Sequence, residues 1–439
     1  VRGSTTTRDA VVLWLRRAWV PIILVVVAFV SGGIVTASHS AQFSPLDEWV
    51  YYDYTVKIPT QGVVRQGEYV GHDALVRMSC YGDSYGPRGE PCGDVKDIHA
   101  NYPQQGKTSA DIYTPLYFAI TWALGKAIQF VTGAEFLTAA RATGIFWLAG
   151  GLLVFYKLLS LMKVKKVVTL GLGLAIIGAP TTFWANTYIS TDAPGFLIGA
   201  ALLLAGVSAI KGKSSPWWLV PIGVVGILLK VTTVLALGLA ALVVVLFVVF
   251  ARNEIERHEK RRLLVATSVA VAAAGVAQVI WLLIRAHISL GASADQGTAS
   301  QFLWRDIVEL LSLFINPGVF ATTYAPVLRL PSVIGAPLVL LTIAGIVGFA
   351  CMKLSSAFEK SLAISILISA TVFAPILAIG MYFVLGDVFP VLGRYAISLL
   401  PGFFLVTALI IKNRAAEWAV LAYGGFLVIA VSTAAAVFA

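Results

Sequence analysis

Apolar runs of about 20 residues recur along the whole chain with short clusters of lysine and arginine between them, and that alternation suits helices that span a bilayer. A hydrocarbon core of roughly 30 Å sets that length, and the lack of water within it obliges each segment to satisfy its own backbone. With 58% hydrophobic residues, 12% charged residues and a mean hydropathy of +0.86 over 439 residues, a soluble globular domain is excluded. The fold class is an all-α polytopic membrane protein, read as a single domain over 1–439. The net charge of +10 does not point to nucleic acid, because the basic residues sit in short inter-helix clusters and form no basic domain.

Basic clusters mark cytoplasmic loops, and this turns the pattern into a topology. Arg8, Arg16 and Arg17 put the amino terminus in the cytoplasm, so the run from about Ala18 to Val35 leads outward. Its apolar core exceeds that of a secretory signal, and cleavage near Ala41 would remove only an anchor, so the segment reads as a retained first helix. The run Pro115 to Val131, with Gly125, Lys126 and the aromatics Tyr113, Tyr117, Phe118 and Trp122, reads as an interfacial or re-entrant helix. A full span there would push Lys157, Lys163, Lys165 and Lys166 outside. Further spans follow at 141–161, 167–185, 194–210, 217–229, 234–250, 263–284, 333–352, 362–384, 391–411 and 418–438, about eleven in all. Phe302 to Phe314 reads as a second surface-lying helix.

Two extracytoplasmic loops result, 36–132 with interfacial helices and 285–330. In the first, Cys80 and Cys92 sit among Gly82, Gly86 and Gly89, and in an oxidising compartment they suit a disulfide; two free thiols are the alternative. A zinc site is disfavoured because His72 and His99 lack tight ligand spacing. Cys351 reads as a small buried apolar residue.

Charge then divides by side. The cytoplasmic ends are almost wholly basic, whereas the outer ends carry Asp47, Glu48, Asp53, Asp111, Asp192, Lys230, Arg285, Arg329, Asp387 and Arg394. A charge facing lipid near the bilayer centre costs about 2.5–3.5 kcal/mol on insertion scales, so several of these are expected to line one outer cavity.

The motifs that hold these charges resemble a known group. Leu46-Asp47-Glu48 after the first helix, Tyr113-Thr114-Pro115-Leu116-Tyr117-Phe118 closing the first loop and Ser190-Thr191-Asp192-Ala193-Pro194 opening the fourth span come first. Leu229-Lys230-Val231-Thr232 and Gly393-Arg394-Tyr395 follow. In this order and with this outer placement, they resemble the GT-C superfamily of integral-membrane glycosyltransferases. The similarity is greatest to bacterial cell-envelope members akin to protein mannosyltransferases and lipid A aminoarabinose transferases. The resemblance implies transfer of a sugar, with inversion, from a polyprenyl-phosphate donor to a glycan, glycolipid or protein acceptor. It places the reaction on the outer face of a bacterial plasma membrane.

What the resemblance implies for single residues is specific. Asp47 is the expected general base; Glu48 shares that task, positions the acceptor or binds a divalent metal, Mg or Mn being open. The plain alternative is that one of the two caps the helix starting near Trp49. Arg394, Tyr395, Lys230 and Arg329 are expected at the donor phosphate, with Arg285 a weaker candidate and interfacial anchoring the alternative. Asp192 is a second acid or a helix N-cap ahead of Pro194. Trp49, Tyr52, Tyr113 and Tyr117 are expected to contact substrate; Trp49, Tyr51, Tyr52 and Tyr54 equally suit an aromatic belt at headgroup depth. For Asp53 and Asp111 loop solvation is the ordinary reading and a functional role the alternative.

Other chemistries lack their motifs: there is no glycine-rich phosphate loop, no zinc-protease helix and no nucleophile elbow. A secondary transporter or lipid flippase is the alternative from another class, and a non-catalytic envelope scaffold a third; internal repeats of the transporter kind are not evident.

Overall fold

The computed structural model describes residues 7–39, 41–45, 47–83, 85–93, 95, 99–295, 304–315, 318, 332–386 and 388–438. Among these the regular structure is helical, with two isolated β-bridges, Tyr69 to Lys107 and Asp83 to Gly86. In chain order the α-helices are α1 (Thr7–Ser38), α2 (Glu48–Gln61), α3 (His72–Cys80), α4 (Pro115–Thr132), α5 (Phe136–Leu161), α6 (Lys166–Ile177), α7 (Pro180–Thr187), α8 (Gly195–Ile210) and α9 (Leu219–Leu229). They continue as α10 (Val234–Phe250), α11 (Arg257–His287), α12 (Trp304–Leu310), α13 (Ser332–Cys351), α14 (Ala357–Thr371), α15 (Phe373–Leu385), α16 (Leu400–Ile410) and α17 (Arg414–Phe438).

This is a multi-pass helical membrane protein. Seven helical segments are long and apolar enough to cross a bilayer, and nine if the bent pairs α6–α7 and α14–α15 each make one span. The bends, 60° and 53°, fall beside Pro180 and Pro375, whose rings cannot donate to the preceding turn and clash with it. The remaining two of the eleven expected segments, at 195–210 and 216–229, are apolar helices shorter than these candidate spans. Each stops at a buried charge: α8 starts only after Asp192, and α9 ends before Lys230, whose backbone is extended. Non-helical backbone of this kind is tolerated at depth only where protein surrounds it.

Helix α4 is not among the candidate spans, and it packs against α5. Thr114 caps it by accepting from the Leu116 amide at 3.3 Å, Pro115 opens it, and Gly133 in the left-handed region (φ 70°) closes it. The first loop is a folded body. Val50, Tyr51 and Tyr54 of α2, Leu75 and Met78 of α3, and Tyr102 join Phe118 of α4 in one buried cluster. A disulfide ties Cys80, the last residue of α3, to Cys92. Cys351 is exposed at the end of α13, which corrects its expected burial. Helix α12 falls within the predicted surface-lying segment of the second loop.

Two close approaches set the scaffold beneath the candidate site. A Cβ on Gly144 of α5 would strike the Asn186 carbonyl in α7, and a Cβ on Gly199 of α8 would strike the Ser398 carbonyl in the 3-10 segment Gly393–Leu399. Small residues at these crossings let backbone pack on backbone, as elsewhere in membrane bundles.

Candidate active site

The adjacent carboxylates of the Asp47-Glu48 pair part company because Asp47 adopts a left-handed backbone (φ 55°, ψ −8°) just before α2. Glu48, the first residue of α2, is fully buried. Its Oε1 accepts from Arg141 Nε (2.9 Å) and the Ile189 amide (2.9 Å), and its Oε2 accepts from Arg141 Nη2 (2.8 Å) and the Ser44 amide (2.7 Å). Arg141 also donates to the Gln42 carbonyl at 2.6 Å and lies 5.0 Å from the Tyr188 ring centre. Glu48 thereby joins the first loop to α5 and to the chain after α7.

Asp47 turns the other way. Its Oδ2 accepts from Arg394 Nη2 at 2.8 Å, and its side chain keeps 33% of its exposure. It is the residue before α2 but makes no side-chain capping bond, so the capping alternative fails for it.

Asp192 also departs from its capping role. Pro194 immediately precedes α8, and the buried Asp192 carboxylate reaches Lys230 Nζ (Oδ1, 2.5 Å) and Arg394 Nη1 (Oδ2, 3.5 Å) instead. Lys230 comes from the break between α9 and α10, and Arg394 from the start of the 3-10 segment that leads into α16. Both cations are buried. Aromatic faces surround them: Tyr113 and Tyr395 at 5.8 and 5.3 Å from Lys230 Nζ, and Trp184 and Tyr395 at 5.1 and 5.6 Å from the Arg394 guanidinium. The Tyr51 hydroxyl lies 3.2 Å from that of Tyr113 and 3.5 Å from Asp47 Oδ2. Four segments far apart in sequence thus place two carboxylates and two cations in one neutral cluster, with Asp47 its most accessible member.

The other expected residues lie elsewhere. Trp49 is buried in the apolar cluster under the first loop. Tyr52 packs between Phe43 and Phe136, its ring centre 5.8 Å from the Arg77 guanidinium. Tyr117 is buried, and its hydroxyl accepts from the Ser190 amide at 3.0 Å, which steadies the segment carrying Asp192. Asp53 pairs with Lys57 (2.8 Å) and accepts from the Gly71 amide (2.7 Å); burial pushes its carboxyl up despite Lys57. Arg285 pairs with Asp111 at 2.6 Å, and burial raises that carboxyl too. Among the described residues, then, Asp47, Asp192, Lys230 and Arg394 converge, whereas Asp53 with Lys57 and Asp111 with Arg285 form separate pairs. Arg329 and Asp387 lie outside the described residues.

Sequence reading passed over Arg141 and Trp184. Arg141 carried a usable signal, a lone arginine at the head of an apolar run, which a membrane helix keeps only for a partner. Trp184 carried none. Glu48 is not free to hold a divalent metal. Both Glu48 oxygens are engaged by hydrogen-bond donors, and the described residues contain no group of three or more His, Cys, Asp or Glu side chains able to hold an ion.

No family model matches the chain, and no curated protein matches it. Among solved structures it is similar to the crystal structure of ArnT from Cupriavidus metallidurans in the apo state, with 14% sequence identity and a TM-score of 0.47 over 94% of this chain. The chain spans 62% of the length of that structure.

Proposed function

We propose that this protein is a GT-C-type membrane glycosyltransferase that moves a sugar from a polyprenyl-phosphate donor to a cell-envelope acceptor, with inversion, on the extracytoplasmic face. The observation that carries the reading is Arg394 bridging Asp47 and Asp192 beside Lys230. A partly exposed acid beside two buried cations is what transfer from a lipid phosphate requires.

In this reading Asp47 takes the proton of an acceptor hydroxyl as that oxygen attacks the anomeric carbon from the side opposite the phosphate. The carbon–phosphate-oxygen bond breaks, and the lipid phosphate leaves with the electron pair. Arg394 offers a fork to the phosphate oxygens and Lys230 a point charge. In a water-poor site such fixed charges act strongly on charge that develops during the reaction. A positioned base contributes typically about 10²- to 10⁴-fold.

The resting cluster is charge-balanced, so an incoming phosphate competes with Asp47 for Arg394. Donor binding then frees the base. Glu48, held by four donors, acts as the strut that fixes Asp47 and not as a second base. The basic clusters between helices support a cytoplasmic amino terminus and an outward-facing site.

The test is transfer of labelled sugar from a polyprenyl-phosphate donor by purified protein, with Asp47→Asn as the control. Movement of lipid across proteoliposomes without sugar transfer would replace this reading with the flippase alternative.

A further inference from the structure

A cavity of about 440 Å³ opens beside the folded first loop, lined by Tyr102, Gln104, Gln105, Lys107, Ser293 and Asp295. Its size lies within the roughly 300–1,000 Å³ typical of small-ligand pockets. Nothing in the proposed transfer step uses it.

Both walls are fixed. Lys107 Nζ donates to the Ala292 carbonyl at 3.3 Å, Leu290 donates to the Gln66 carbonyl at 2.9 Å, and Ser293 Oγ accepts from Arg285 at 3.2 Å. The Val70 amide donates to the Gly106 carbonyl at 2.8 Å behind the glutamines. Gln104 and Gln105 both hold left-handed backbone (φ 54° each), and Gly106 follows at φ 69°. Such values are uncommon outside glycine, and two in succession mark a turn kept for the side chains it presents.

The lining selects a ligand class. Two carboxamides, a hydroxyl and one carboxylate supply mixed donors and acceptors, while Lys107 and Asp295 balance in charge. An anion finds no excess of positive charge here, and an apolar tail finds little surface. A neutral polyol fits. The wall also leads to the reaction centre: Lys107 precedes Tyr113 of the charged cluster by six residues, at most about 21 Å of extended chain.

We infer that this cavity is a subsite for a neutral glycan segment of the acceptor, gripping it by Gln104 and Gln105 away from the reacting hydroxyl. The inference rests on the glycosyltransferase reading and names its acceptor class as glycan. The test uses the full-length protein in detergent and fluorescently labelled neutral oligosaccharides of arabinan, mannan and galactan type, with an oligogalacturonate as the anionic control. We expect at least one neutral probe to bind in preference to the anionic one. The double variant Gln104→Gly/Gln105→Gly, whose new residues suit the left-handed backbone and preserve the fold, should weaken binding by about tenfold or more. Absence of neutral-probe binding, or binding unchanged in the double glycine variant, overturns the subsite. Glutamine-dependent binding without any sugar transfer overturns only the transferase reading, and transfer with glutamine-independent binding overturns only the subsite.

Discussion

Arg394 donates to Asp47 at 2.8 Å across 347 positions of sequence, and its other amino group lies 3.5 Å from Asp192. One side chain thus holds the accessible acid and the buried acid together.

Replacing Asp47 by Asn keeps shape and removes the base. Because that side chain is one-third exposed, we expect folding to be retained while transfer falls by about 10²- to 10⁴-fold. Turnover with a polyprenyl-phosphate sugar donor, beside a thermal melt in detergent, checks this. Near-full turnover would remove Asp47 as the base.

Arg394→Lys keeps the charge but loses the fork. A lysine cannot span both carboxylates, so we expect the donor KM to rise by about tenfold or more, equivalent to about 1.4 kcal/mol, with a smaller effect on acceptor KM. Steady-state kinetics with each substrate varied in turn separate the two. An effect confined to the acceptor would contradict a donor role.

The Glu48–Arg141 pair should behave as structure. Both side chains are buried, so truncating either leaves a charge without its partner, at a cost of about 3–5 kcal/mol. The double variant Glu48→Gln/Arg141→Met should recover much of that loss. Unfolding midpoints of the four proteins in one detergent test it, and additive losses would show the two residues to be uncoupled.

Gly199→Val adds branched carbon where α8 meets the Ser398 carbonyl. We expect the segment carrying Arg394 to shift and transfer to fall by about tenfold or more, since small displacements of positioning groups cost this much or more. Gly33→Val, at a position with nothing near a new Cβ, serves as the control.

The first loop should loosen in acid through Glu68. Burial alone would raise its carboxyl, but the Arg65 amide and Lys57 outweigh it and hold it below its ordinary 4.5. A carboxyl lowered on folding adds stability above its unfolded value and loses it as pH falls through the folded one. We therefore expect protease sensitivity in the first loop to climb below about pH 4.5 in the wild type and to vary less in Glu68→Gln.

The distribution of apolar runs made the helical membrane architecture legible, because a bilayer imposes one length and one backbone solution on whatever crosses it. The positions of α1, α5, α10, α11, α13 and α17 followed from that alone. So did the notice given to Asp47, Asp192, Lys230 and Arg394, since charges in an apolar chain announce themselves. Their pairing did not follow. Asp192 before Pro194 looked locally like a cap, and only its approach to Lys230 and Arg394 showed where its carboxylate goes. Asp47 was the expected base and Glu48 its possible partner, but a single left-handed residue sends Glu48 inward to Arg141 and Asp47 toward Arg394. Composition could determine which residues must avoid lipid; which partner each one found depended on contacts between segments from 38 to 347 residues apart, and these exist only once the bundle has packed.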